Sequence, residues 1–332
     1  MITPSKPSGA ARSTGKRRAS TPLANGLAKL LVAGLASALF LIAFPARALV
    51  VYQTGFEFSE GYITNKDLVD QNGWVEFGSG GNGIVSDFIP GKGQQAYVGF
   101  TPPTSTNDSS LFVLQPLDLN ASQVQFAVTF AIFDSKLPNT NRDDFYWSVF
   151  NQQLDQLFTV DFDNQELRVY YYLDDGKDRI WSGLNFTNDG AYQLAIAMDF
   201  ASNRWSATLN GTLVTNNQPI TTVGASLNLG DIDAAWAIWD PKAPGDNFMV
   251  FDDYQVSATV PPPQLKILSI TNGAPTLRVS GQPSNPFAVE ASTNLMNWLP
   301  LKTNITTGGS FTYVDNTSVG FPVRFYRARW AP

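Results

Sequence analysis

Between residues 49 and 260 the chain reads as short runs in which every second residue is apolar, separated by clusters of Gly, Asn, Asp and Pro. A period of two places alternate side chains on opposite faces of an extended strand, so this stretch predicts antiparallel strands and almost no helix. Two hairpins can be registered from the letters. In the first, Phe158, Val160 and Phe162 alternate with Thr159 and Asp161, and Leu167, Val169 and Tyr171 alternate with Arg168 and Tyr170. A four-residue turn over Asp163–Glu166 sets Phe162 opposite Leu167, Val160 opposite Val169 and Phe158 opposite Tyr171, with Asp161 meeting Arg168 on the other face. In the second, Leu194, Ile196, Met198 and Phe200 share a face, and a turn over Ala201–Arg204 returns Trp205, Ala207 and Leu209 against them. Asn210-Gly211 then fits a type I′ turn, since both residues accept positive φ. Strands chained by tight turns make a meander, one sheet of a two-sheet jelly roll. The expected fold class is therefore all-β: an antiparallel jelly-roll β-sandwich.

The pattern is interrupted at Pro261-Pro262-Pro263, a stiff linker between the region 49–260 and a second β-patterned region, 264–332, expected to be a small β-sandwich-like module. Near the start the periodicity is of another kind. Lys16, Arg17, Arg18 and Lys29 lead into the apolar run Leu30–Phe44, followed by Pro45-Ala46-Arg47-Ala48. This is the layout of a signal peptide, 1–48, with cleavage after Ala48. This run of 15 residues falls short of the roughly 20 of a membrane-spanning helix, and Pro45 and Arg47 block its extension. The long polar lead-in leaves an uncleaved anchor as the alternative, and Ala-Ser-Thr after Arg17-Arg18 makes a poor twin-arginine signal. The expectation is a secreted or cell-surface protein, or a periplasmic one, with no membrane span after cleavage.

Removal of the leader changes the charge. Seven of the 22 basic residues and none of the 28 acidic ones lie in 1–48, so the remainder carries a net charge of −13. Region 49–260 has a net charge of −17 and region 264–332 of +4. Nucleic acid is thereby excluded as a partner, because its binding needs a basic surface. The chain has no cysteine and no histidine. Ser-His-Asp and Cys-His catalysis and thiolate chemistry are excluded, and any metal would be held by oxygen, which favours calcium.

Phe56-Glu57, Gly61 and Gln71-Asn72-Gly73-Trp74, with Asn203-Arg204-Trp205 through Asn210-Gly211 and the closing Asp252-Asp253-Tyr254-Gln255-Val256, resemble bacterial secreted domains of the concanavalin A-like (laminin-G-like) jelly-roll class over about 50–258. The run Val289–Trp298 and the ending Arg324-Phe325-Tyr326-Arg327 resemble a small β-module that closes many large bacterial secreted proteins. The first resemblance implies a jelly roll whose first and last strands lie side by side, where related carbohydrate-binding folds hold a structural calcium. Glu57 and Asp252 occupy matching places there. Strict alternation puts Asp252 on one face with Phe248, Val250, Tyr254 and Val256. A carboxylate so placed needs a cation, an Arg, a backbone N–H, or a bulge that turns it outward. Asp246, in the acidic loop 240–247, is a second calcium candidate.

For a glycosidase, the nearest approach to a paired-carboxylate strand motif is Asp161-Phe162-Asp163-Asn164-Gln165-Glu166, which begins with Asp and runs into the predicted turn. A carboxylate-dependent glycoside hydrolase or lyase is one alternative, and a structural surface or adhesion protein without a small-ligand site is another. The leading expectation is non-catalytic binding of an extracellular glycan or cell-surface partner. Tyr170 and Tyr172 fall opposite the apolar face beside Arg168, while Trp181 and Trp239 fall at loop positions that form a jelly-roll rim. These five residues are the candidate ligand-binding set, each with packing against a second sheet as its alternative. Tyr171 and Trp205 belong to the core.

Overall fold

The alternating segments form strands that pair into two antiparallel sheets in a computed structural model, which describes residues 48–136 and 139–331. The predicted leader lies outside the described residues except for Ala48. In chain order the strands are β1 (Leu49–Thr54), β2 (Val75–Gly78), β3 (Asn82–Ser86), β4 (Gln94–Gly99), β5 (Ser110–Leu114), β6 (Gln123–Phe133), β7 (Asp144–Phe150) and β8 (Gln156–Asp163). They continue with β9 (Arg168–Leu173), β10 (Ile180–Asn185), β11 (Ala191–Asp199), β12 (Arg204–Leu209), β13 (Thr212–Gln218), β14 (Asp231–Ala237) and β15 (Phe248–Thr259). One sheet has the order β13-β12-β11-β6-β15-β4-β3, with β1 also paired to β15; the other has the order β10-β9-β8-β7-β14-β5-β2. The first and last strands of this unit are thus neighbours, Thr54 opposite Tyr254 and Leu49 opposite Ala258. The fold is an all-β antiparallel jelly-roll sandwich. Among the described residues no helix is long and apolar enough to cross a membrane.

The two sheets meet through the apolar set that the alternation picks out. Phe158 of β8 stacks on Trp205 of β12 with ring centres 3.9 Å apart, Phe162 meets Phe130 of β6 at 4.7 Å, and Trp147 of β7 meets Phe126 at 5.4 Å. All six rings are buried. Their burial fixes the opposite parity of β7, β8, β9 and β14 as the face turned away from the partner sheet. At the edge of that sheet Gly78 has φ +90°, and a Cβ there would sit 2.1 Å from the Ser110 carbonyl oxygen, so only glycine lets β2 close on β5.

The second hairpin turns over residues 200–203, one residue earlier than expected, so Leu194 pairs with Leu209, Ile196 with Ala207 and Met198 with Trp205, a slip of two residues that keeps every side chain on its predicted face. Asn210 and Gly211 both have positive φ, as their turn requires. The first hairpin also differs from expectation. Leu167 takes φ +56° and lies in the turn, so Phe162 pairs with Val169, Val160 with Tyr171 and Phe158 with Leu173. Asp161 consequently faces Tyr170, and Asp163 faces Arg168. The slip is two residues, an even number, so every side chain keeps its predicted face.

Strand β15 also departs from strict alternation. A bulge between Asp252 and Gln255, with Asp253 at φ +50°, reverses the parity. Tyr254 and Val256 face the sandwich core with Phe251, whereas Phe248 and Val250 form a separate apolar cluster with Ile89 and Ala131 on the other side of the sheet. Asp252 shares that outer side, opposite Thr129, and not the face of Tyr254.

After Pro261–Pro263 the strands β16 (Gln264–Thr271), β17 (Ala274–Ser280), β18 (Pro286–Ser292), β19 (Leu299–Ile305), β20 (Ser310–Val314) and β21 (Phe325–Trp330) form two three-stranded sheets, β16-β17-β20 and β19-β18-β21. Leu277, Val279, Phe287, Val289 and Trp330 are buried between them, and Glu290 is clasped by Arg327 and Arg329 at 2.7 Å each.

Candidate functional site

The outward face of β7–β10 is built from residues that alternate with the core set: Asp144, Tyr146 and Ser148 on β7, Thr159, Asp161 and Asp163 on β8, and Arg168, Tyr170 and Tyr172 on β9. Cross-strand pairing lines them up. Trp181 of β10 stands opposite Tyr170, Tyr170 opposite Asp161, and Asp161 opposite Tyr146. Four adjacent strands therefore contribute one row, with three large rings around a carboxyl.

Asp144, Asp161 and Asp163 are buried, and Arg179 reaches over them, 2.5 Å from Asp163 and 3.7 Å from Asp161. Its guanidinium also lies 4.1 Å above the Tyr170 ring. The Tyr172 hydroxyl donates to Asp161 Oδ2 at 3.0 Å, and the Tyr172 ring meets Tyr146 edge-on at 6.1 Å. Burial pushes Asp161 up to about 8, with the neighbouring Asp144 charge adding to the effect. Burial likewise pushes Asp144 up to about 7, opposed by the Asn164 backbone N–H that donates to its Oδ1 at 2.9 Å. Asp161 Oδ1 has no hydrogen-bond partner, which a neutral carboxyl tolerates far better than a carboxylate. Further along the face, burial raises Asp231 and Asp233 on β14 in the same direction.

The exposed groups surround this buried layer. Trp181 is 51% exposed, and the Arg168 guanidinium lies 5.1 Å from its ring centre. Arg168 also donates to Glu166 Oε2 at 3.0 Å, the oxygen that accepts the Tyr170 hydroxyl at 2.5 Å. Tyr170 itself is only 8% exposed, and Tyr172 is half-buried. Trp239 is 59% exposed and lines a cleft of about 530 Å³ with Arg142, Asp143, Gln165 and Asp240. Its backbone N–H is held by Asp143 Oδ1 at 3.0 Å. Arg168, Tyr170, Tyr172 and Trp181 are thus brought together, and Trp239 stands at the rim beyond Asp144.

The predicted metal set is only partly assembled. Glu57 and Asp252 approach the same glycine, Gly55, but Glu57 packs against Gly93 and Asp252 Oδ1 takes the Asp253 N–H at 2.7 Å. Burial pushes Asp252 up to about 7. Asp246 lies apart, before β15, accepting the Lys136 N–H at 3.0 Å. Among the described residues no three acidic side chains meet as metal ligands.

Four site residues escaped the sequence reading: Asp144, Tyr146, Asp233 and Arg179. The first three carried a usable signal. Asp144-Phe145-Tyr146-Trp147-Ser148-Val149 and Asp231-Ile232-Asp233-Ala234 alternate as plainly as Phe158–Phe162 does. Arg179 lies in a loop, where periodicity says nothing.

No family model and no curated protein matches the chain. Among solved structures it is similar to basic winged bean lectin, solved with Tn-antigen, at 12% identity and a TM-score of 0.42, covering 65% of this chain and 100% of the lectin. It is similar to a GH131 β-glucanase catalytic domain from Podospora anserina at 11% identity and a TM-score of 0.41, covering 63% of this chain and 95% of that one. A sialidase matches at 7% identity and a TM-score of 0.43 over 60% of this chain, which spans 18% of the sialidase. These neighbours are lectins and glycosidases, and at such scores the likeness carries no argument about function.

Proposed function

We propose that this chain is an exported, non-catalytic glycan-binding protein whose ligand lies on the outward face of β7–β10. The observation that carries the reading is Trp181: a large indole, half-exposed, flanked by the Arg168 guanidinium and paired with Tyr170. A flat, exposed ring beside charged and hydroxyl groups suits a sugar, which offers apolar C–H faces and hydroxyl edges. The carboxyls beside it argue against hydrolysis. A general acid must touch the glycosidic oxygen, and Asp144 and Asp161 are buried, with Asp161 further held by the Tyr172 hydroxyl and approached by Arg179. Export rests on the leader pattern at 1–48. The partner is an extracellular polysaccharide or a glycosylated cell-surface component.

Retention of the mature chain on immobilised polysaccharides tests this. Trp181→Ala is expected to lower affinity roughly tenfold, with the melting temperature unchanged because the ring is not part of the core. Turnover of any retained polysaccharide would instead favour the hydrolase reading, and unchanged retention of the variant would move the site elsewhere.

A further inference from the structure

The row that begins at Trp181 does not stop at β7. Tyr146 stands opposite Ala235 of β14, Ala235 opposite Phe112 of β5, and Phe112 opposite Phe77 of β2. Read across the whole sheet, one row runs Trp181, Tyr170, Asp161, Tyr146, Ala235, Phe112, Phe77. It crosses all seven strands at right angles to their direction. With neighbouring strands about 4.8 Å apart, it spans about 29 Å. Both of its ends are exposed rings, Phe77 being 54% exposed, and small or recessed side chains lie between them. Phe112 is half-buried and meets Phe150 edge-on at 6.0 Å. Neither phenylalanine has a place in the sandwich core, because the inward positions of β5 are Leu111 and Val113.

We infer that this row is an extended binding strip for a linear, uncharged polysaccharide that lies across the strands, with Phe77 and Phe112 forming the end remote from Trp181. The inference rests on the glycan-binding reading above and adds the class of its ligand. Extended shape follows from the strip: rings at both ends of a flat face favour a chain that continues past the site over a single terminal sugar. Absence of charge follows from the flanking rows. Arg168 lies in the flanking row opposite Asp163, and the two cations beside the row are both already engaged, Arg168 by Glu166 and Arg179 by Asp163. A polyuronate would lay its carboxylates along a strip beside which neither cation is free to meet them.

The test is affinity against ladders of linear β-1,4-glucan, β-1,3-glucan, xylan and mannan oligosaccharides from dimer to octamer, with polygalacturonate as the charged comparison. Affinity is expected to rise with chain length for a neutral ladder. Phe77→Ala is expected to weaken the longest oligomers roughly three- to tenfold and leave the dimer unaffected, while Trp181→Ala weakens all lengths. Phe77→Tyr, which keeps the ring, should restore long-chain affinity, and an unchanged melting temperature shows that the edge strand is intact. Retention that is independent of length, or indifferent to Phe77, would overturn the strip while leaving a local site at Trp181 standing. Preference for polygalacturonate would overturn the uncharged class. Failure to retain any glycan would remove the parent reading and the strip with it.

Discussion

Raising the pH from 5 to 8 is expected to destabilise this protein progressively. Asp161, Asp144 and Asp252 are pushed up to about 8, 7 and 7 by burial, while in the unfolded chain each returns to near 4. Between those values the folded state holds more protons than the unfolded state, so the free energy of unfolding falls as pH rises. The carboxylates shifted the other way, among them Asp253, Glu290 and Asp315, have folded values below their ordinary range, and their contribution is lost only at lower pH. With no histidine in the chain, no side chain of ordinary pKa titrates in this window to mask the slope. Asp161→Asn keeps the shape and the acceptor for the Tyr172 hydroxyl but removes the titration. It is expected to match the parent at pH 5 and to gain on the order of 2–3 kcal/mol at pH 8. Urea midpoints at the two pH values read both effects, and a parent protein equally stable at both would contradict the burial argument.

The other large effect lies between the sheets. Trp205 is buried, stacks on Phe158 with an interplanar angle of 11°, and meets Tyr171 edge-on at 5.9 Å. Trp205→Ala leaves a cavity that β8 and β12 cannot close without moving both sheets, and a loss of about 3–5 kcal/mol is expected in chemical denaturation. Trp205→Phe retains the stacked ring and removes an indole N–H that has no hydrogen-bond partner, so it should cost much less. A small loss on Trp205→Ala would mean that the sheets do not meet there.

The contrast between Trp205 and Trp181 also shows what was legible in the sequence. Strand parity assigns Trp205 to the core, where it lies, whereas Trp181, expected in a rim loop, lies on strand β10 opposite Tyr170 and half-exposed on the sheet face. Parity survived even where register did not: the turn at Leu167 moved β9 by two residues, and Tyr170 and Tyr172 kept their face. Parity failed at Asp252–Asp253, because a bulge inserts one residue without any cue in composition. Tyr170 was placed on the correct face, yet its exposure was not readable, since Arg179 covers it from a loop. The neighbours of Tyr146 were not readable either. Its partner Ala235 lies in β14, about 90 residues later, and Phe77 follows from two further long-range pairings. Local alternation assigns faces, whereas the order of non-consecutive strands is decided by how the whole sandwich closes.

Hydrogen exchange of residues 49–332 with and without a retained neutral polysaccharide reads where the ligand lies on the sandwich. Added protection is expected in β7–β10, around Trp181 and Tyr170, extending through β5 to β2 for long chains. Protection confined to β11–β13 of the other sheet would contradict this placement.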